Sequence, residues 1–240
     1  MGIKKYIPNA IKCMNLFSGC VASYFAFQGF FFWSLLFILL AGLFDFFDGM
    51  VARLLHTSSP IGMQLDSLAD MISFGFVPGV IAFKHIDNIS NNGWVMFLAF
   101  FLTVFSALRL AKFNVDERQK SSFVGLATPA NAIFFASLVS LSDPRMPLAL
   151  IPDYLPGMVA PILSNLPVML VLIAIFCYLL VAEIPMFSLK FKNFTWKDNK
   201  VRFCFLIGSA IFLILFQLAG FLFIILFYIL LSVITAYKKA

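Results

Sequence analysis

The chain has 240 residues, 62% of them hydrophobic and only 12% charged, with a formal net charge of +6. That balance excludes an ordinary soluble domain, in which roughly a quarter of residues are charged. It predicts an all-α fold, a polytopic helical membrane protein, and the basic excess forms no exposed patch in polar context that would suit a nucleic-acid partner.

Residues 1–8 read as a short amphipathic lead at the membrane surface, with Pro8 suited to the first turn of a helix. Apolar runs then predict helices over 9–27 and 31–55, the second long enough to protrude at its charged end. His56 to Pro60 is a turn, because Ser58, Ser59 and Pro60 break the helix. A third helix is expected over 62–85, a polar turn over 87–93, a fourth helix over 94–113 and a loop over 114–122. The fifth helix is placed at 129–142. The proline-rich 142–157 cannot be one continuous helix and reads as a re-entrant or surface segment. A sixth helix is expected over 159–187, kinked before Pro167 and ending near Pro185. A basic loop over 190–200 leads to helices over 201–217 and 220–237, parted by a turn at Ala219 and Gly220. This gives about eight spans, organised as a main membrane domain over 1–190 and an accessory helix pair of the same domain over 191–240.

Charge predicts the orientation. With eight spans, both termini and the loops after helices two, four and six share one side, which carries fifteen of the seventeen Lys and Arg; Lys84 and Arg145 are the exceptions. That side is expected to be cytoplasmic. Cys13, Cys20, Cys177 and Cys204 have no ligand-type spacing and read as small packing residues. The segment 16–20, LFSGC, looks like a lipoprotein cleavage box, but the apolar run before it is too short for a signal core and continues beyond Cys20.

One stretch, 45–70, holds Asp45, Asp48, Asp66 and Asp70, four of the eleven acidic residues, between apolar flanks. Carboxylates in such surroundings are expensive and need a compensating partner or a role. Asp45 and Asp48 are three apart and share one helical face; Asp66 and Asp70 are four apart and share a face of the next helix. Four carboxylates converging between two helices cannot all stay ionised without cations, and an all-oxygen ligand set favours hard divalent ions such as Mg²⁺, Mn²⁺ or Ca²⁺. Gly49 and Ala52 lie along the face of Asp45, and Gly62 lies one turn before Asp66, leaving room for a bulky ligand. Arg53 adds a cation suited to phosphate. Ligands, missing side chains and one Arg together fit a bound diphosphate.

Written out, the pattern is Asp-x2-Asp-Gly-x2-Ala-Arg-x8-Gly-x3-Asp-x3-Asp. It resembles the signature of the CDP-alcohol phosphotransferases, with every signature position filled. The resemblance implies two divalent ions, Mg²⁺ or Mn²⁺, held chiefly by Asp45, Asp48 and Asp66, with Asp70 as the base and also a metal ligand. It places Gly49, Ala52, Arg53 and Gly62 around the CMP moiety. Nothing in the spacing alone says which Asp is the base. Asn9 and Asn15 lie on helix one near the same side; Asn9 is assigned to the nucleotide, the alternative for both being a bond across helices.

The segments around the signature are similar to those of one branch of that family, the membrane-embedded bacterial phosphatidylserine synthases: IPNAIKCMNLFSGC, MISFGFVPG, SALRLAKFNVDERQ and FVGLATPANA. This likeness covers most of 5–140. It implies transfer of a phosphatidyl group from CDP-diacylglycerol to L-serine, giving phosphatidylserine and CMP, at the cytoplasmic face of a bacterial inner membrane. A homodimer among membrane lipids is expected. Serine is a zwitterion, so its carboxylate needs a cation. Arg109 is the candidate, with Lys112 and Asn114 beside it; the alternative for the two cations is snorkelling at the interface. His56 and His85 flank apolar runs and are given no catalytic role, and Glu183 is unassigned. Other readings are an acceptor such as glycerol 3-phosphate or inositol phosphate, an ion-coupled transporter, or an intramembrane prenyltransferase. Against the last two stand the absence of repeat symmetry, the position of the cluster at one end of its helices, and the crowding of both Asp pairs into one short window.

Overall fold

The structure is a computed structural model and describes residues 6–57, 59–116, 123–188 and 195–237. Two long helices open it, α1 (Tyr6–Phe27) and α2 (Phe31–Leu54), folded back on one another at Gly29, whose φ of +72° is left-handed. From Ser18 onward the buried face of α1 is small: Ser18, Gly19, Ala22, Ser23 and Ala26. Small residues let backbones approach where lipid supplies no hydrophobic drive between helices. Gly19 shows the constraint, because a Cβ there would lie 2.9 Å from the Cα of Ser73.

After the turn, Ser59 caps α3 (Pro60–Asp70) by accepting from the Gly62 amide at 3.0 Å, and Pro60 fills the first helical position. Asp70 ends α3. A π-helical turn, Met71–Phe76, follows and runs straight into α4 (Val77–Ile89). Pro78 has no N–H to give the carbonyl four residues back, and the widened turn lies just before it. The expected third helix, 62–85, is therefore one apolar stretch from Pro60 to Ile89 with a change of pitch beneath Asp70.

A 3₁₀ turn, Val95–Phe100, leads into α5 (Phe101–Val115). Thr103 Oγ1 donates to the carbonyl of Gly75 at 3.1 Å, tying α5 to the π turn. Strand β1 (Phe123–Val124) precedes α6 (Thr128–Ser140), the central helix; every residue of α6 but Pro129 and Ile133 is buried. Its Phe134 and Phe135 pack on Phe176.

The sixth expected helix is the main correction. It is two helices, α7 (Leu155–Leu163) and α8 (Leu166–Val181), bent by 87° at the break. Asn165 caps α8 by accepting from Val168, and Pro167 sits in the first turn, so the sequence starts a new helix there. The helix also stops at Val181, short of 187. The chain turns extended at Ala182, and β2 (Pro185–Met186) pairs antiparallel with β1. The proline-rich 142–157 is not one helix: it holds a 3₁₀ turn at Leu148–Leu150, its last residues from Leu155 open α7, and it is pinned by Asp143 Oδ2 accepting from the Phe32 amide and by Arg145 lying over Phe30.

Helices α9 (Trp196–Phe216) and α10 (Gly220–Tyr237) fold back at Gln217, with Phe212 and Phe216 against Phe223 and Phe205 against Phe227. Of these, α10 packs on α6 and β2. Among the described residues, five helical stretches are long and apolar enough to cross a membrane, or six if the bent pair α7–α8 is one span, against the eight expected. The difference lies in α6, which is shorter, and in α9–α10, which form one apolar stretch that folds back.

The side-chain contacts sort the loops by end. The α1–α2 turn, Asp143, Arg145, His85 and the α7–α8 break meet at one end. The start of α1, the α2–α3 turn and the end of α5 meet at the other. There lie Lys12, Arg53, Arg109 and Lys112. The lead expected over 1–8 is helical from Tyr6, and its first residues lie outside the described ones, as do 117–122 and 189–194 in the two expected loops.

Candidate metal and nucleotide centre

Asp45 and Asp48 stand on the last turns of α2, and Asp66 and Asp70 on α3. The two helices meet at an angle set by the short turn between them, so both acidic faces point into one space beside α1. Carboxylate oxygens of Asp45, Asp48 and Asp66 all lie within 4.8 Å of one another. Asp48 is only 2% exposed, yet its Oδ2 has no hydrogen-bond partner. A buried carboxylate oxygen left without a partner marks a place for a cation. Three carboxylates and no nitrogen or sulfur donor fit a hard divalent ion, Mg²⁺ or Mn²⁺ among them.

Asp70 is not part of that triad. Asn15 Nδ2 donates to its Oδ1 at 3.2 Å, and the Asn15 backbone carbonyl accepts from Ser73 Oγ at 3.0 Å. Asn15 is fully buried, so Asp70 is held from α1 by a fixed partner.

A cavity of about 130 Å³ opens beside the triad, lined by Asn9, Lys12, Ala52, Ser59, Gly62 and Asp66 among others. A Cβ on Gly62 would lie 2.8 Å from Asn9 Oδ1, so glycine there lets α1 close on α3. Gly49 faces open space, with nothing within 4 Å of a Cβ. Arg53 is exposed at the end of α2 and does not line this cavity. Four of the five residues expected around CMP are thus small or amide-bearing groups next to the triad or its cavity.

Lys12 is the residue that sequence reasoning misses, because there it counts only as one more basic residue on its side. It is 9% exposed, and its Nζ donates to Asp48 Oδ1 at 3.2 Å and to Asp66 Oδ1. A signal exists. Asn9, Lys12 and Asn15 recur every three residues and make one polar stripe on the first half of α1.

Arg109 is 7% exposed, its Nε has no hydrogen-bond partner, and its guanidinium lies 5.3 Å from the Phe113 ring centroid. It lines a second cavity of about 230 Å³ with Lys112, Asp116 and Glu183, closed by Val124 and Leu180 to Ala182. Asn114 is not there. Its Nδ2 donates to Ser67 Oγ at 3.0 Å, joining α5 to α3. His56 is exposed in the α2–α3 turn with φ of +49°. His85 is buried at the other end against the carbonyl of Leu163. All four cysteines are free.

Over 139 residues, 57% of this chain, the sequence is 32% identical to the CDP-diacylglycerol–serine O-phosphatidyltransferase of Helicobacter pylori, of which the match covers 58%. It is 33% identical over 125 residues to the enzyme of that name from Bacillus subtilis, covering 52% of this chain and 70% of the relative. A shorter stretch of 83 residues, 35% of this chain, is 51% identical to 29% of the Saccharomyces cerevisiae protein of that name. The match thus spans little more than half of the Helicobacter relative. A family model described as CDP-alcohol phosphatidyltransferase matches residues 5–237, a range that takes in every described residue. The chain belongs to the CDP-alcohol phosphatidyltransferase family.

Proposed function

We propose that the chain transfers the phosphatidyl group of CDP-diacylglycerol to the hydroxyl of L-serine, forming phosphatidylserine and releasing CMP. The observation that carries this is the triad of Asp45, Asp48 and Asp66 beside the Gly62–Asn9 cavity, with Asp70 held apart by Asn15. Two divalent ions, Mg²⁺ or Mn²⁺, bound at the carboxylates would neutralise the diphosphate and make its phosphorus more electrophilic. The residues of the chain do the rest. Asn9, Ala52 and Gly62 wall the nucleotide, and Arg53, exposed at the end of α2, attracts its phosphates. Asp70 takes the proton of the serine hydroxyl as its oxygen bonds to the lipid phosphorus, and the phosphoanhydride bond breaks with its electrons leaving on CMP.

Serine fits the second cavity by charge. Arg109 and Lys112 face its carboxylate, and Asp116 and Glu183 offer carboxylates to its ammonium group. That mixed lining disfavours glycerol 3-phosphate or inositol phosphate, which carry phosphate and no cation. The basic side chains gathered at this end support a cytoplasmic face, in the inner membrane of a bacterium, where CDP-lipid and serine meet. The test is CMP release by purified protein in detergent, with CDP-diacylglycerol and a panel of serine, ethanolamine, glycerol 3-phosphate and inositol phosphate. Serine should be used far faster than the rest. Preference for a phosphorylated acceptor would overturn the serine reading and leave the donor reading standing.

A further inference from the structure

The proposed function puts divalent ions on the triad. Resting on that reading, we infer that Lys12 is a tethered cation of this centre: it holds Asp48 and Asp66 together in the metal-free protein, then exchanges to the substrate's phosphate once ions are bound. Three observations lead there. Lys12 is nine-tenths buried, and both of its partners are triad members. Its ammonium therefore lies against two of the three carboxylates that would hold an ion. An ammonium has three donors and no acceptor, so it cannot join a coordination shell, and like charge keeps it from sharing the spot with a divalent ion. The third observation is the way out. Lys12 also lines the cavity with Asn9, Ala52, Ser59 and Gly62. Its four-carbon stem is flexible enough for the head group to turn from the carboxylates into that cavity, where a diphosphate brings negative charge.

The physical need is plain. Carboxylates in an apolar helical bundle are costly without a countercharge, and a newly folded site must exist before it meets an ion. Lys12 supplies that charge from within. The consequence is coupling: metal affinity is set partly by the ammonium that must leave, and nucleotide affinity partly by the ammonium that arrives.

The test needs no turnover. Native protein, Lys12→Met and Lys12→Arg are compared in detergent without substrate. Mn²⁺ binding is read by electron paramagnetic resonance of the free ion. Removing a competing charge-assisted pair should tighten Mn²⁺ binding by roughly ten- to a hundredfold in Lys12→Met. Lys12→Arg keeps the charge and should bind Mn²⁺ more weakly than Lys12→Met. In EDTA the Met variant should melt below the native protein, and Mn²⁺ should close that gap. At saturating Mn²⁺, CMP should bind the Met variant more weakly than the native protein. Should Lys12→Met fail to fold, Lys12→Gln removes the charge and keeps a hydrogen-bonding end, with the same direction expected. Native-like or weaker Mn²⁺ affinity in the neutral variants would overturn the exchange. Folded native protein that binds no Mn²⁺ would remove the divalent reading itself, and this inference with it, so the two failures are told apart by the native arm alone.

Discussion

Arg109→Lys tests the acceptor site most directly. The substitution keeps a positive charge and loses the planar fork that pairs with a carboxylate through two parallel bonds. The structure sharpens the contrast with a membrane anchor. A snorkelling arginine reaches water or headgroups, whereas Arg109 is 7% exposed and its Nε has no hydrogen-bond partner. A buried donor without a partner, lining a cavity, is available to a ligand. One charge-assisted hydrogen bond is worth about 1.5–3 kcal/mol. Loss of its share in binding serine therefore predicts a fall in kcat/KM for serine of roughly ten- to a hundredfold. The apparent KM for CDP-diacylglycerol should change little, because that substrate is assigned to the other cavity. The exchange also weakens the contact with Phe113, at 5.3 Å, worth about 0.5–1 kcal/mol, so a small loss of Tm is expected alongside.

The assay is CMP release at varied serine and fixed saturating lipid, then the reverse. Ethanolamine, which is serine without its carboxylate, is the control. It should be a poor substrate of the native protein, and Arg109→Lys should narrow the gap by lowering serine turnover alone. Unchanged serine kinetics with unchanged discrimination would refute the reasoning and move the carboxylate site elsewhere, Lys112 being the next side chain in the same cavity. A fall in both substrates' kinetics together with a large drop in Tm would mean instead that Arg109 acts through packing.

EDTA should abolish CMP release and Mg²⁺ or Mn²⁺ restore it, with Asp45→Asn, Asp48→Asn and Asp66→Asn each nearly inactive; full turnover in EDTA refutes the ion-dependent reading. Asp70→Asn should lose at least about a hundredfold in kcat while CDP-lipid binding by calorimetry stays within a few-fold, since an amide cannot take the hydroxyl proton. If binding were lost as fully as in Asp45→Asn, Asp70 would be chiefly a ligand. Gly62→Ala puts a Cβ 2.8 Å from Asn9 Oδ1 and 3.0 Å from Ser59 Oγ. It should weaken CMP binding and cost about 1–3 kcal/mol of stability, which thermal melts with and without CMP would separate. Glu183→Gln should raise the serine KM through the ammonium group and leave the CDP-lipid KM alone; an unchanged serine KM would take Glu183 out of the acceptor site.

Helix existence is legible in the sequence because apolar runs in a membrane protein have one stable solution. The boundaries of α2 follow from the run starting at Phe31 and the Ser59–Pro60 break. The sixth helix is harder. Proline at 167 reads as a kink, but Asn165 before it is a cap, and a cap plus a first-turn proline starts a helix and does not bend one. Pro185 reads as a helix end, yet the chain has already left the helix at Ala182 to pair with Phe123 and Val124. That pairing is a long-range event with no local signature. The π turn beneath Asp70 is of the same kind: Pro78 warns of a lost hydrogen bond, but only the packing of Thr103 and Ser73 around it shows where the ladder widens.

The site divides along the same line. Carboxylates three and four apart on successive helices are a local pattern, and the structure brings Asp45, Asp48 and Asp66 together as the spacing implies. What the spacing cannot carry is the third wall. Asn9, Lys12 and Asn15 come from α1, far earlier in the chain, and each meets a different part of the acidic stretch: Gly62, Asp48 with Asp66, and Asp70. Their shared face is visible in the sequence, but a polar stripe on an apolar helix does not say which carboxylates it answers. A charge argument narrows the choice of cation. Four carboxylates in one apolar site demand countercharge, Arg53 is exposed at the end of α2, and Lys12 stands on the polar stripe of α1 and reaches inward. The acidic window on α2 and α3 and the stripe on α1 are therefore two halves of one electrostatic unit, with the amide of Asn15 holding one carboxylate apart and the ammonium of Lys12 holding two together.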